Sequence, residues 1–180
     1  VGQALGVEWG KIQIIKPYIG GGFGNKQDVL YEPLCAWLCM QLGGHLVKLD
    51  IPREDTFVSN RVRHAIHSHI VSWVRPDGTY AARKLEAFSD QGAYASHGHS
   101  ICAKGAGAFP QLYPCDNVEV DAYTVFTNKS VAGAMRGYGI PQAMWAVECH
   151  TEEVAARLGM DPIEFRRKNL MPVGYMDPFS

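Results

Sequence analysis

The sequence lacks any Cys-x-x-Cys pair: its five cysteines, Cys35, Cys39, Cys102, Cys115 and Cys149, are odd in number and scattered. That pattern argues against a disulfide framework, a cysteine-held iron–sulfur cluster and a structural zinc site. An excess of one charge sign is missing as well. The 17 lysines and arginines face 18 aspartates and glutamates, for a formal net charge of −1. This leaves no electrostatic footprint for nucleic acid or an anionic membrane. No apolar run approaches the roughly 18 residues needed to span a bilayer. The opening Val1-Gly2-Gln3-Ala4-Leu5-Gly6-Val7 has neither the charged start nor the apolar core of a signal peptide. Repeats and low-complexity tracts are absent too. These absences support a cytoplasmic chain with reduced thiols and no membrane span.

What is present fits one domain of ordinary size: 180 residues, 47% of them hydrophobic. Residues 11–19 carry β-branched alternation and predict a strand. Residues 27–42 place Leu30, Leu34, Trp37, Leu38 and Met40 at helical spacing, which predicts a buried amphipathic helix closed by Gly43-Gly44. A short strand is predicted over 45–51 and a helical turn at Pro52-Arg53-Glu54-Asp55. Two long strands, about 65–74 and 79–88, are joined by Pro76-Asp77-Gly78, a hairpin signal. Residues 92–108 read as a loop leading into a packed helix, and 118–127 as a strand. A helix follows over 141–158, stopped by Gly159, and Asp161-Pro162 opens another as N-cap and first helical residue. One hairpin among irregularly alternating helices and strands predicts an α+β fold, a mixed sheet with packed helices.

Two glycine-bearing turns hold the chemistry. Residues 20–27 read Gly-Gly-Gly-Phe-Gly-Asn-Lys-Gln between the predicted first strand and first helix. Glycines let a backbone approach a ligand without Cβ interference, and a helix start would add free N–H groups, so an oxo or phosphate group suits the turn. It is not a Walker loop, since Asn25 precedes Lys26 and no Ser or Thr follows, and the third glycine of a dinucleotide fingerprint is missing. Lys26 at a helix start would be electrostatically unfavourable without a partner. The second turn, over 130–140, contains Ala134-Met135-Arg136-Gly137-Tyr138-Gly139. His64, His67, His69, His97 and His99 invite a metal hypothesis, but no carboxylate or cysteine completes a zinc spacing, and His67 and His69 fit an exposed hairpin face.

The pair GGGFGNKQ and AMRGYG resembles the molybdenum-binding subunit of the xanthine dehydrogenase family of molybdenum hydroxylases. Further matches at GAYASHGHS (92–100) and Asp161-Pro162-Ile163-Glu164-Phe165-Arg166 bring it nearest the bacterial xanthine dehydrogenase type. The resemblance implies that residues 1–180 are a single fragment of a molybdopterin-binding domain, with upstream and downstream parts of the subunit outside this sequence. It implies a molybdenum–molybdopterin cofactor, in bacterial relatives often the cytosine dinucleotide form. The 2Fe-2S clusters and FAD would sit on partner subunits or domains. The family reaction hydroxylates a carbon beside a nitrogen of an aromatic heterocycle, such as a purine, with oxygen from water.

By the same resemblance Gly22, Phe23, Gly24 and Arg136 line the cofactor, through backbone near the metal and pterin rather than as side-chain ligands. Gln27 and Tyr138 would meet the substrate, the first by hydrogen bonds and the second by ring stacking. Gln27 stands where many eukaryotic members carry Glu, which suits positioning rather than acid catalysis. A gap-free alignment puts Lys104 where those members carry a second substrate-binding Arg, although the residue pattern itself favours a solvated surface lysine, and a lysine would be a point donor rather than a bidentate fork. The general-base Glu is expected beyond this chain, so the fragment alone is expected to be inactive. Aldehyde-oxidising and other-substrate relatives, or a non-catalytic cofactor-assembly module with the same fold, are the competing readings. The carbon monoxide type is disfavoured because Ala132-Gly133-Ala134-Met135 offers no cysteine.

Overall fold

From Ala65 to Val74 (β1) the apolar residues Ile66, Ile70 and Val74 recur on one face and His67, His69 and Trp73 on the other. A strand with that alternation covers one face and leaves the other wet. The computed structural model describes residues 1–176, and there Ile66, Ile70 and Val74 pack on the core while His67 and His69 are exposed. β1 turns back through Gly78, at φ +85°, into Tyr80–Asp90 (β2), pairing antiparallel with Ala65 opposite Asp90. Asp77 accepts from the Thr79 backbone at 2.9 Å and from its hydroxyl at 2.7 Å, fixing the turn. β2 is central, because Val118–Val125 (β3) lies parallel along its other edge.

The crossover from β2 to β3 contains helices Gly98–Gly107 (α4) and Phe109–Leu112 (α5). Helix Ile140–Arg157 (α6) buries Ala143, Val147, Thr151 and Ala155, a stripe at four-residue spacing, beside α4 and β1. Gly159 ends that run at φ +65°. Asp161 then caps Pro162–Asn169 (α7), accepting from the Ile163 and Glu164 backbones at 2.9 and 3.0 Å. Phe165 on α7 is fully buried, its ring edge-on to Tyr80 at 5.3 Å. The core joins Tyr80, Leu85, Phe109, Tyr113, Val147 and Phe165. Arg83 is buried among them. One guanidinium nitrogen donates to the Phe109 and Tyr113 carbonyls, the group stacks over Phe109 at 4.2 Å, and burial holds its pKa below the ordinary arginine value.

The mixed sheet with packed helices is therefore the α+β arrangement expected, and the three strands and the helices α6 and α7 lie within two residues of their predicted bounds, whereas the turn predicted at 52–55 is a helix reaching Ser59 and α5 was not expected. The first third differs. Residues 11–19 form no strand: after a short helix Gly2–Leu5 (α1) and a 3-10 turn Trp9–Lys11, they run exposed without a pairing partner among the described residues. The predicted strand at 45–51 is likewise extended but unpaired. The helix predicted over 27–42 spans only Glu32–Gln41 (α2), and none of its residues is buried. Pro33 suits a first helical turn, and the Glu32 carboxylate accepts from the Leu30 and Tyr31 backbones at 2.9 and 3.1 Å, closing a turn there. Arg53–Ser59 (α3) lies where a helical turn was predicted. No helix of the described residues is long and apolar enough to cross a membrane.

Candidate functional site

The two glycine turns, more than a hundred residues apart in sequence, meet backbone to backbone. A Cβ on Gly24 would lie 2.1 Å from the Ala134 carbonyl oxygen and 2.8 Å from the Met135 nitrogen, so no other residue fits this contact. Gly24 also sits at φ +108°. The second turn is backed in the same way by α4: a Cβ on Gly139 would stand 2.4 Å from the Ile101 carbonyl. Among the described residues, the non-glycine positions with positive φ are Phe23 and Tyr138, both at +52°. Each such position costs roughly 1–3 kcal/mol and persists only where its surroundings impose it. That both fall in these two turns marks the junction as a built feature.

Phe23 is 60% exposed and Arg136 is exposed beside it, the guanidinium carbon 5.6 Å from the Phe23 ring centroid. The Arg136 carbonyl is held from below by Arg63 at 2.7 Å, and Arg63 in turn donates to Gln142 at 3.0 Å. No backbone carbonyl among the described residues accepts from the N–H groups of Gly22, Phe23 and Gly24, or from those of Met135, Arg136 and Gly137. Two rows of unclaimed donors on a Cβ-poor surface suit a ligand rich in oxygen. Gln27 is exposed next to this edge, its backbone bonded to the Gly24 carbonyl at 3.0 Å. Lys104 is exposed in the last turn of α4, one residue before Gly105, whose backbone abuts Gly139. Neither the Gln27 nor the Lys104 side chain bonds to Phe23, Arg136 or Tyr138.

Two local expectations change. The first turn does not run into a helix start, because Asn25 and Gln27 donate back to Gly22 and Gly24 at 3.1 and 3.0 Å and α2 begins only at Glu32. The free donors belong to the loop itself. Lys26 is not an unpartnered charge on a helix terminus either: its ammonium donates to the Ile19 carbonyl at 2.5 Å.

A hydrogen-bonded group that sequence reasoning missed ties the two turns together. Asp28, directly after Gln27, accepts from Ser96 at 2.6 Å and from Arg61 at 2.7 Å. His97 places Nε2 3.3 Å from Asp28 and Nδ1 2.9 Å from the Tyr138 hydroxyl. Burial alone would raise the Asp28 carboxyl, but the hydrogen bonds from Ser96 and Arg61 and the nearby positive charge hold it below the ordinary aspartate value. His97 was weighed as a metal candidate, whereas the described residues contain no cluster of three His, Cys, Asp or Glu able to hold an ion. The signal available was its place in GAYASHGHS, a segment whose role only the fold reveals. One concavity of 470 Å³ is lined by Trp9, Ile14 and Val29, and one of 640 Å³, lined by Arg63, Gln142 and Trp145, reaches the Arg63 that supports the Arg136 carbonyl.

The base of the second turn is set by Asp90 at the end of β2. It accepts from Lys129 at 2.8 Å, from the Thr127 hydroxyl at 2.6 Å and from the Gly92 backbone at 3.0 Å. The Lys129 contact leads these in holding its carboxyl at about 2 against an ordinary 3.8. A depressed carboxyl contributes stability above the unfolded value, and that contribution is lost as pH falls through the folded one. The protein is therefore expected to melt higher than its Asp90→Asn variant at about pH 5, with the gap closing toward about pH 2. A gap that does not change across that window would show that the Asp90 charge adds nothing.

Residues 1–170 match the family described as the molybdopterin cofactor-binding domain. Across all 180 residues the chain is 44% identical to the xanthine dehydrogenase molybdenum-binding subunit of Escherichia coli O157:H7. It is 37% identical over 164 residues, 91% of the chain, to the nicotinate dehydrogenase large molybdopterin subunit of Eubacterium barkeri. The chain spans 24% and 38% of the length of these two relatives. Its fold superposes on the aldehyde oxidoreductase of Desulfovibrio gigas with a TM-score of 0.80 at 32% identity, covering 88% of this chain and 17% of that one. The chain belongs to the molybdopterin cofactor-binding domain family.

Proposed function

From that membership we propose that the protein containing this chain is a molybdenum hydroxylase that hydroxylates an aromatic N-heterocycle, a purine such as xanthine or hypoxanthine, with water as oxygen source. One observation carries the reading: the two glycine turns meet at Gly24 and Ala134 with free N–H groups on both and no side chain between them. In this reading Gly22, Phe23, Gly24 and Arg136 hold the molybdenum–molybdopterin, of the cytosine dinucleotide form, by backbone donors and the Arg136 guanidinium. When bound, that group supplies the oxidative hydroxylation chemistry. The chain's own part is to orient. Unclaimed N–H donors stabilise negative charge on oxygen without reorganising, Tyr138 offers an aromatic face, and Gln27 and Lys104 offer polar contacts at the rim. The general-base Glu, the remainder of the molybdenum subunit, and the 2Fe-2S and FAD carriers lie on other parts of a cytoplasmic hetero-oligomer serving purine metabolism. Accordingly the isolated chain should reduce no dye with xanthine.

The choice of purine rests on the 44% identity over the whole chain to a xanthine dehydrogenase subunit. A second reading, aldehyde oxidation, is favoured by the superposition on an aldehyde oxidoreductase. Profiling the assembled enzyme with xanthine, hypoxanthine, nicotinate and small aldehydes separates them. The purine reading expects the highest kcat/KM with a purine. A preference for aldehydes by about tenfold or more, the scale of one lost specific contact, overturns it.

A further inference from the structure

His97 lies outside both glycine turns, yet its ring touches each of them through a neighbour. Nδ1 is 2.9 Å from the Tyr138 hydroxyl and the two rings meet edge to face with centroids 6.0 Å apart. Nε2 is 3.3 Å from one Asp28 oxygen, while the other accepts from Arg61 and Ser96. We propose that His97 is a positioning residue that fixes the tyrosine wall of the substrate site and dictates the polarity that wall presents.

The argument follows from donors and acceptors. Asp28 is ionised, since its carboxyl lies below the ordinary value, so it can only accept. When the imidazole is neutral, the carboxylate 3.3 Å from Nε2 favours the proton on that nitrogen and leaves Nδ1 as an acceptor. The Tyr138 hydroxyl then donates its hydrogen to Nδ1. Its remaining lone pairs can only accept. A ligand lying against Tyr138 therefore meets an acceptor, which selects a heterocycle presenting a ring N–H at that edge over one presenting a carbonyl or an N-methyl group. Tyr138 is held at φ +52°, a conformation a free loop would leave, and the His97 bond is one of the contacts that pins it. Asp28 follows Gln27 directly, so the network also ties the orientation of the tyrosine to the first turn.

This inference rests on the heterocycle reading above, and its test separates the two. The assembled enzyme is assayed with xanthine and with each N-methylated xanthine, in the parent and in His97→Phe, His97→Asn, Tyr138→Phe and the His97→Phe/Tyr138→Phe double variant, with molybdenum content measured for each. His97→Phe and Tyr138→Phe are each expected to lower kcat/KM for xanthine by about tenfold, the scale of one specific hydrogen bond. The double variant should fall no further than either single, because His97 acts only through the tyrosine hydroxyl. His97→Asn, whose amide oxygen reaches the Nδ1 position, should stay within about threefold of the parent. The N-methyl derivative that removes the recognised N–H should respond to none of these changes by more than about threefold. Equal losses for xanthine and for every N-methyl form, or additive losses in the double variant at full molybdenum content, overturn the role of His97 while leaving the hydroxylase reading intact. A parent that acts on aldehydes and on no heterocycle overturns both.

Discussion

Gly24→Val in the assembled enzyme is expected to abolish molybdenum retention together with the loop junction itself, whereas Gly22→Val should lose molybdenum with little change in thermal midpoint. The two glycines share a motif but not a setting. A Cβ at Gly24 would come within 2.1 Å of the Ala134 carbonyl, and its φ of +108° is one that L-residues rarely adopt. The backbone penalty alone is about 1–3 kcal/mol, and the clash is with main chain that cannot swing aside. A Cβ at Gly22 meets only the Lys26 Cβ, at 3.9 Å, which is ordinary contact, and Gly22 has no positive φ. Whatever Gly22→Val obstructs must therefore lie on the open side of the turn, where the Gly22, Phe23 and Gly24 N–H groups have no backbone partner among the described residues. Molybdenum content and melting are to be measured on both variants. Full molybdenum in Gly22→Val would show that this edge of the loop does not face the cofactor. Normal melting in Gly24→Val would show that the loops part without cost.

The contrast between those two glycines shows where sequence reading stops. The hairpin and helices α6 and α7 were legible because each carries its own local signal: alternation in β1, the Asp77-Gly78 turn, the four-residue stripe of α6, and the Asp161-Pro162 cap of α7. Residues 11–19 carry a strand-like pattern just as clear, yet Ile14, Ile15 and Tyr18 are exposed. Periodicity reports which face wants covering, and a strand forms only where a partner backbone supplies hydrogen bonds. Among the described residues none does so there. At the site, the motifs named the two turns but not the network beneath them. Asp28 and Arg61 are 33 residues apart, and Asp28 and Ser96 are 68 apart, so no spacing rule links them. Even so, the Asp28–His97–Tyr138 contacts join residues that adjoin or lie within the quoted motifs.

Tyr138→Ala is expected to shift substrate preference away from flat rings more than any other single change outside the glycines. Its ring is half-buried, held at φ +52° between Gly137 and Gly139, and anchored through its hydroxyl to His97. Ring stacking is worth about 0.5–1.5 kcal/mol beyond the area it buries, and loss of the hydroxyl bond to the partly exposed His97 adds about 1 kcal/mol. Together these predict a fall in kcat/KM for xanthine of roughly tenfold to a hundredfold, since each 1.4 kcal/mol is a factor of ten. A small aldehyde has no ring to stack and should lose much less. Gln27→Ala removes a side chain that is exposed and makes no hydrogen bond among the described residues, so folding should be untouched. If that amide meets the heterocycle, purine turnover should drop by about 1–3 kcal/mol of barrier at full molybdenum content. The decisive quantity is the ratio of purine to aldehyde kcat/KM in each variant. Were both ratios to stay at the parent value with the metal fully retained, neither Tyr138 nor Gln27 would face the substrate, and the purine reading would rest on overall similarity alone.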